Sequence, residues 1–312
     1  MGGEAAVIRE TALRLGRDQR LFGVLTEPPP GAARVEGIGL LLLNAGILNN
    51  TGPSGLYVTL ARRLAATGHV VLRFDFAGVG ESPERPDGLA FEEAALIEAG
   101  QVMDMLAATH GVERFVIAGI CSGGVQSFRV ALSDPRIIGA ALLNPQGYFA
   151  NGQKQIGTYI QAEKAKQYLF RVSIRRRDSW LRLLRGQVGF AALVKALSSR
   201  VLRPFAERGT ESGDIAALGR DFAGLIGRGV RLLHVYAEED PGLIELDLVA
   251  RSMPPEPRAA MQPQIVPASD HLFTPLHAQR RLLALLQDFV AGCAAGPQTA
   301  ETQPKQREAA DV

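Results

Sequence analysis

The stretch Arg114-Phe115-Val116-Ile117-Ala118-Gly119-Ile120-Cys121-Ser122-Gly123-Gly124 decides how this chain reads. Its first six residues form a short apolar, β-branched run that predicts a strand, and residues 126–132 can form an amphipathic helix. Between them, Gly119-Ile120-Cys121-Ser122-Gly123 fits the G-x-nucleophile-x-G turn, in which a strand passes abruptly into a helix and leaves the central side chain on a strained corner. The glycines have a steric reason: the corner forces the nucleophile into an unfavourable backbone region, and its neighbours cannot carry Cβ atoms without clashing. The corner residue is Cys121 and not Ser122, because Ser122 there would require glycine at position 120, which is Ile120. A small buried Cys beside an ordinary Gly-rich turn is the plainer alternative, and the partners found far along the chain weigh against it.

Outward from this turn, strands and helices alternate. Residues 7–15 and 20–26 predict an antiparallel pair around Gly16-Arg17-Asp18, and Pro28-Pro29-Pro30-Gly31 breaks the chain. Strand 37–43, helix 56–67, strand 70–74, helix 91–110, the elbow strand with its helix, and strand 138–143 follow. After a long interruption the pattern resumes with strand 230–236, helix 242–252, strand 264–266 and helix 275–291. This order predicts an α/β class with a mostly parallel central sheet and helices on both faces. Residues 297–312 are polar, Ala-rich and unpatterned, and read as a disordered tail.

The chain has 312 residues, of which 46% are hydrophobic, as expected of a soluble globular protein. No apolar run reaches the roughly 18 residues needed to span a bilayer, and the N-terminus lacks a basic region followed by an apolar stretch. A cytoplasmic location without a membrane span is therefore expected. Two cysteines, Cys121 and Cys293, cannot build a disulfide framework, and Cys293, at the end of the last expected helix, is incidental.

The interruption at 150–229 reads as helices 158–170, 179–184, 190–202 and 215–226, a cap expected to sit over the active site. The expected organisation is thus a core in two parts, 1–149 and 230–293, the cap at 150–229 between them, and the tail from 294 to 312. The cap holds 15 basic and 6 acidic residues, a net +9, so the remainder is −7 and the overall charge of +2 hides a division. Arg171, Arg175, Arg176, Arg177, Arg182 and Arg185 form its densest cluster. They read either as a solvated helix face or as a recognition site for an anionic substrate group or an acidic carrier protein. Nothing else matches a nucleic-acid-binding module. Tyr159, Tyr168, Phe170 and Trp180 are expected to pack the cap or line its pocket.

The element order, taken with the Cys121 elbow, resembles the α/β-hydrolase fold over about residues 5–291. In that family nucleophile, acid and base follow one another along the chain. The resemblance implies Asp240 as the acid, in Ala237-Glu238-Glu239-Asp240-Pro241 after a strand, with Glu238 and Glu239 as neighbouring alternatives. It implies His271 as the base, in Pro267-Ala268-Ser269-Asp270-His271-Leu272-Phe273. His69 and His110 lie at element ends, His234 inside a strand and His277 on the last helix. Arg73-Phe74-Asp75-Phe76-Ala77-Gly78-Val79-Gly80-Glu81-Ser82 is close to the family's loop after the fourth strand and is expected to be structural. The elbow with Gly123-Gly124 is similar to that of dienelactone hydrolases, which lack a large insertion after the sixth strand. Asn44-Ala45-Gly46, Arg73-Phe74-Asp75 and the Cys elbow resemble more closely the capped bacterial hydrolases found with exopolysaccharide or exosortase systems.

The chemistry expected of these residues is nucleophilic. His271, oriented by Asp240, would take the proton of Cys121, and the thiolate would attack an acyl carbonyl. The negative charge developing on oxygen needs donors: the backbone N–H of Ser122, and a second from Asn44-Ala45-Gly46-Ile47, where Gly46 and Ile47 are both open. Here the chain departs from the family's common His-Gly pair. The expected function is hydrolysis of an acyl ester or thioester through an acyl-thioenzyme, the acyl group being free or carried on an acidic carrier protein or coenzyme A. The alternatives are acyl transfer to a non-water acceptor by the same triad and a non-catalytic ligand-binding protein on this fold. No cofactor or metal is expected.

Overall fold

The segments with the longest apolar runs become the middle of the sheet. In the computed structural model, which describes residues 7–148 and 205–295, the chain runs β1 (Arg9–Leu15), β2 (Leu21–Glu27), β3 (Ile38–Leu43), α1 (Leu56–Ala65), β4 (Val70–Asp75), α2 (Phe91–His110), β5 (Arg114–Ile120), α3 (Ser122–Ser133) and β6 (Ile137–Leu143). It continues with α4 (Phe205–Gly227), β7 (Arg231–Ala237), α5 (Gly242–Ser252), α6 (Pro255–Ala259), β8 (Pro263–Val266) and α7 (Leu276–Ala294). The eight strands form one sheet in the order β1-β2-β4-β3-β5-β6-β7-β8. β2 is antiparallel to β1 and β4, and every other pairing is parallel.

Parallel strands covered on both faces need apolar side chains on both, so β3 reads Ile-Gly-Leu-Leu-Leu-Leu with every residue buried. Because successive side chains alternate in direction, Leu41 of β3 joins a layer with Val102, Met103 and Phe128 of α2 and α3. Leu40 and Leu42 join the opposite layer with Leu60 and Leu64 of α1 and Leu282 and Leu286 of α7. The C-terminal ends of the parallel strands therefore share one edge, where the loops that carry the candidate site emerge.

The expected helix 215–226 is found within α4. Leu218, Phe222 and Leu225 are buried in the layer that holds α3 and α5, and Phe222 lies over Phe128 with ring centroids 4.2 Å apart. This part of the segment assigned to the cap thus covers the sheet. Helices 158–170, 179–184 and 190–202, with Tyr159, Arg175, Arg176 and Arg177, lie outside the described residues, as does the tail 297–312. The short helix α6, with proline at its first position, was not expected. Among the described residues no helix is long and apolar enough to cross a membrane.

Two buried residues show how packing decides chemistry. His234, inside β7, is fully enclosed, neither ring nitrogen has a hydrogen-bond partner, and burial pushes its pKa down to about 4. Cys293 packs against β6: a Cβ on Gly139 would lie 2.6 Å from its Sγ, so the strand has no side chain there. Burial raises that thiol's pKa to about 11.

The loops after β3 and β4 are tied together by Asp75, which is fully buried. Its carboxylate accepts from Asn44 Nδ2 (2.9 Å), Asn50 Nδ2 (2.8 Å) and the Glu81 N–H (3.1 Å). Asn44 in turn accepts the Phe76 N–H (2.9 Å) and donates to the Leu48 carbonyl (3.0 Å). Arg73 reaches Asn50 Oδ1 at 2.5 Å and Glu10 at 3.1 Å. Gly80 leaves room for this hub, since a Cβ there would meet Asp75 Oδ2 at 2.5 Å. Asp75→Ala strands at least two buried donors, and each costs about 1–3 kcal/mol when unsatisfied. The expected result is a fall of roughly 5–10 °C in Tm, measured by calorimetry.

Candidate active site

β5 ends at Ile120, and the next residue takes φ 58°, ψ −122°. A side chain in that region costs on the order of 1–3 kcal/mol, so the surroundings must hold it there. The Cys121 N–H donates to the Leu143 carbonyl of β6 (2.9 Å), and its own carbonyl accepts from Gly124 (3.0 Å) and Val125 (3.3 Å) in the first turn of α3. α3 then folds back over the strand it leaves. A Cβ on Gly119 would sit 2.3 Å from the Gly123 carbonyl carbon, and one on Gly123 would sit 2.4 Å from the Asn44 carbonyl oxygen. Both glycines are thus required by close backbone approach, one within the elbow and one between the elbow and the end of β3.

That approach brings the loop after β3 against the start of α3. Gly46, at φ 60°, donates its N–H to Ser122 Oγ at 2.9 Å. Of the two candidates for the second oxyanion donor, Gly46 thus has its N–H taken up by the Ser122 hydroxyl. Ile47 has its side chain in solvent, 92% exposed. The Ser122 N–H begins α3, where backbone donors have no partner within the helix and the helix dipole favours negative charge.

Asp240 and His271 come from the next two loops at the same edge. Asp240 is buried in the turn after β7, and its N–H bonds back to the Ala237 carbonyl at 3.0 Å. Its Oδ1 accepts the Gly242 N–H at 2.8 Å, and its Oδ2 lies 2.5 Å from His271 Nδ1. Glu238 and Glu239 are both exposed, and neither contacts the imidazole. The His271 loop follows β8 and is held by Asp270, whose carboxylate accepts from the N–H groups of Leu272 (3.2 Å) and Thr274 (2.9 Å) and from the Thr274 hydroxyl. His277, on α7, faces the Pro267 carbonyl and not the site.

His271 Nε2 is buried with no hydrogen bond of full geometry. It is nevertheless close enough to Cys121 for the thiol to bear on its charge. The Asp240 carboxylate, and after it Cys121, raise the imidazole pKa to about 10 against the opposing effect of burial. Behind the pair, Glu245 on α5 is held near neutrality: burial and the Asp240 charge push its carboxyl up to about 7. Asp240 thus sits beside a carboxyl that resists ionising.

One residue of this arrangement was not singled out in the sequence. Asn144, fully buried at φ 43°, donates from Nδ2 to the His271 carbonyl (2.7 Å) and accepts the Ala237 N–H at Oδ1 (2.8 Å). It ties the end of β6 to the loops carrying Asp240 and His271. Its only sequence signal is a polar residue directly after Ala140-Ala141-Leu142-Leu143 and before Pro145. Gln146 also approaches, with Nε2 3.5 Å from Asp240 Oδ1 and 3.4 Å from His271 Nδ1.

An eight-stranded, mostly parallel sheet with a strand–turn–helix elbow at Cys121 and a carboxylate–imidazole pair at its C-terminal edge has the architecture of the α/β-hydrolase fold. The sequence agrees: residues 40–285 match the alpha/beta hydrolase family, and the chain belongs to it. No curated protein sequence matches the chain. Among solved structures it is similar to proline iminopeptidase of Mycobacterium smegmatis, with TM-score 0.53, 15% identity and coverage of 92% of this chain and 99% of that one. It is also similar to an α/β serine hydrolase without lid from Xanthomonas campestris (TM-score 0.51, 15% identity, 95% and 99% covered). A third is dienelactone hydrolase of Anabaena variabilis (TM-score 0.50, 13% identity, 92% and 97% covered). At these identities the likeness is one of fold.

The raised pKa of His271 makes a test with a definite sign. A group bound more tightly to its proton in the folded state stabilises the fold fully below its unfolded pKa of about 6.5, and loses that contribution as pH rises through the folded value. The stability difference between wild type and His271→Ala, from urea unfolding, is expected to be largest near pH 6 and to shrink towards pH 10. A difference that grows over that range would reverse the assignment.

Proposed function

We propose that this hydrolase cleaves an acyl ester or thioester through Cys121, His271 and Asp240, with the N–H group of Ser122 and one from Gly46 or Ile47 receiving the oxyanion. The observation that carries this reading is the thiol at φ 58° on the elbow, with an imidazole–carboxylate pair at the same sheet edge. The Cys121 sulfur attacks the acyl carbon and a C–S bond forms as the carbonyl π electrons move to oxygen. When they return, the bond to the leaving alkoxide or thiolate breaks, and His271 supplies the proton that the leaving group takes. Water, deprotonated by His271, then attacks the thioester, which releases the acid and restores the thiol.

The sulfur nucleophile narrows the substrate. Expulsion of an alkoxide competes poorly with expulsion of the enzyme's own thiolate, so thioesters, lactones and enol esters are favoured over alkyl esters. The chain between Tyr148 and Phe205 departs from the end of β6, the strand beside Cys121, and this placement supports its reading as a substrate-selecting cap. Its arginines, Arg175, Arg176 and Arg177, suit an anionic acyl group or an acidic carrier.

The decisive experiment is covalent trapping. An activated ester such as p-nitrophenyl acetate is expected to give a burst and an acyl adduct on Cys121 by mass spectrometry, both absent in Cys121→Ala. His271→Ala is expected to lower the acylation rate by about 10³-fold, and Asp240→Asn by less. Wild-type turnover in Cys121→Ala would refute the nucleophile.

The basic cluster is tested separately. Replacing Arg175, Arg176 and Arg177 by Glu is expected to raise KM for an acyl group on an acidic carrier, as added salt does for the wild type, and to leave a small neutral ester unaffected. Equal effects on both substrates would make the arginines structural.

A further inference from the structure

Parallel neighbours β3 and β5 stay in register up to the pair Leu43–Gly119. One residue further on, their ladder is interrupted by a side chain. The Ile120 N–H, one residue before Cys121, donates to Tyr57 Oη at 3.0 Å, and the same hydroxyl donates to the Leu43 carbonyl at 2.9 Å. Leu43 immediately precedes Asn44 and the Gly46 loop. Two strands that a direct N–H···O=C bond of about 2.9 Å would join are joined here through an inserted oxygen.

Several features fit Tyr57 to this place. The residue is fully buried in the first turn of α1. Gly52, at φ 68°, makes way for its ring, since a Cβ there would lie 2.6 Å from Tyr57 Cγ. Serving as donor and acceptor at once requires the protonated phenol, and burial holds its pKa well above the ordinary tyrosine value. The spacing has an evident use. Gly123, in the first turn of α3, rests against this end of β3: a Cβ on it would meet the Asn44 carbonyl oxygen at 2.4 Å and the Leu43 carbonyl oxygen at 2.8 Å. The strand ends must part for the elbow to seat there, and Gly46 then reaches Ser122.

We infer that Tyr57 is a positioning residue whose hydroxyl, wedged between the ends of β3 and β5, sets the distance between the nucleophile elbow and the loop that supplies the second oxyanion donor. This rests on the acyl-transfer reading above. Without the hydroxyl, the two strand ends lose their shared partner, and the Gly46–Ile47 loop is no longer held at its distance from the elbow. The nucleophile itself, fixed by Leu143 and by the first turn of α3, stays in place.

The test separates two reactions of one sulfur. Alkylation by iodoacetamide displaces iodide at a saturated carbon and uses no oxyanion donor, whereas acylation by p-nitrophenyl acetate does. Tyr57→Phe keeps the ring and removes the hydroxyl. It is expected to slow the acylation burst by about 10- to 100-fold, the scale of a misplaced oxyanion donor, with alkylation of Cys121 within about threefold of wild type. Equal losses in both reactions would mean general disruption of the elbow and overturn the inference, as would an unchanged burst.

Amide hydrogen exchange gives a readout that does not depend on the substrate. In Tyr57→Phe, exchange at Gly46 and Ile120 is expected to accelerate at least about tenfold while the interior of β5 keeps its protection. Unchanged exchange would overturn the wedge. A wild type that is alkylated but never acylated would refute the acyl-transfer reading alone, and exchange would still decide whether Tyr57 holds the two strand ends.

Discussion

A side chain held at φ 58° at the end of a central strand is the constraint on which this molecule turns. The corner is unfavourable for any residue with a Cβ, so it survives only because its neighbours leave no alternative. β6 takes the Cys121 N–H, α3 takes its carbonyl, and the two glycines let backbone pass over backbone at distances that no other residue permits. The same closeness drives α3 against the end of β3 and brings Gly46 to Ser122. The strained corner and the neighbouring donor loop are therefore two results of a single packing event.

Much of this was legible in the sequence, for reasons that can be given residue by residue. β3 to β6 announce themselves because strands covered on both faces must be apolar throughout. Cys121 announces itself because a strained corner demands glycine at fixed offsets. The turn before Pro241 and the His271 loop could be placed through the family resemblance, and the structure separates Asp240 from Glu238 and Glu239 by burying it. Asn144 and Tyr57 were illegible because each is a lone polar group in an apolar setting, with partners up to 127 and 63 residues away. The loop ending at Ser82 was read as structural, yet its link to the Gly46 loop runs through Asp75 and Asn44, and no local pattern encodes that pairing. The extent of α4 was missed for the converse reason: its apolar positions look alike whether they cover a sheet or a cap.

Charge at the strand ends is arranged asymmetrically. Asp240 has strong partners in His271 and the Gly242 N–H, whereas Glu245 behind it has a buried, unpartnered oxygen. In a poorly solvated interior two adjacent carboxylates do not ionise equally, and burial with the Asp240 charge nearby pushes the Glu245 carboxyl up to about 7. The surrounding Tyr148 and Tyr236, both pushed upward by burial, stay neutral as well.

The close packing of Cys293 against Gly139 reaches beyond the core. With one of its two thiols sealed between α7 and β6, the protein offers a thiol reagent dissolved in water a single address, Cys121, without any engineering. Electrophilic probes, spin labels and fluorophores delivered to the native chain would all report from the elbow. Oxidants would meet it first too, and with no second accessible thiol among the described residues to form an internal disulfide, a sulfenic acid at that corner would depend on small thiols for its repair.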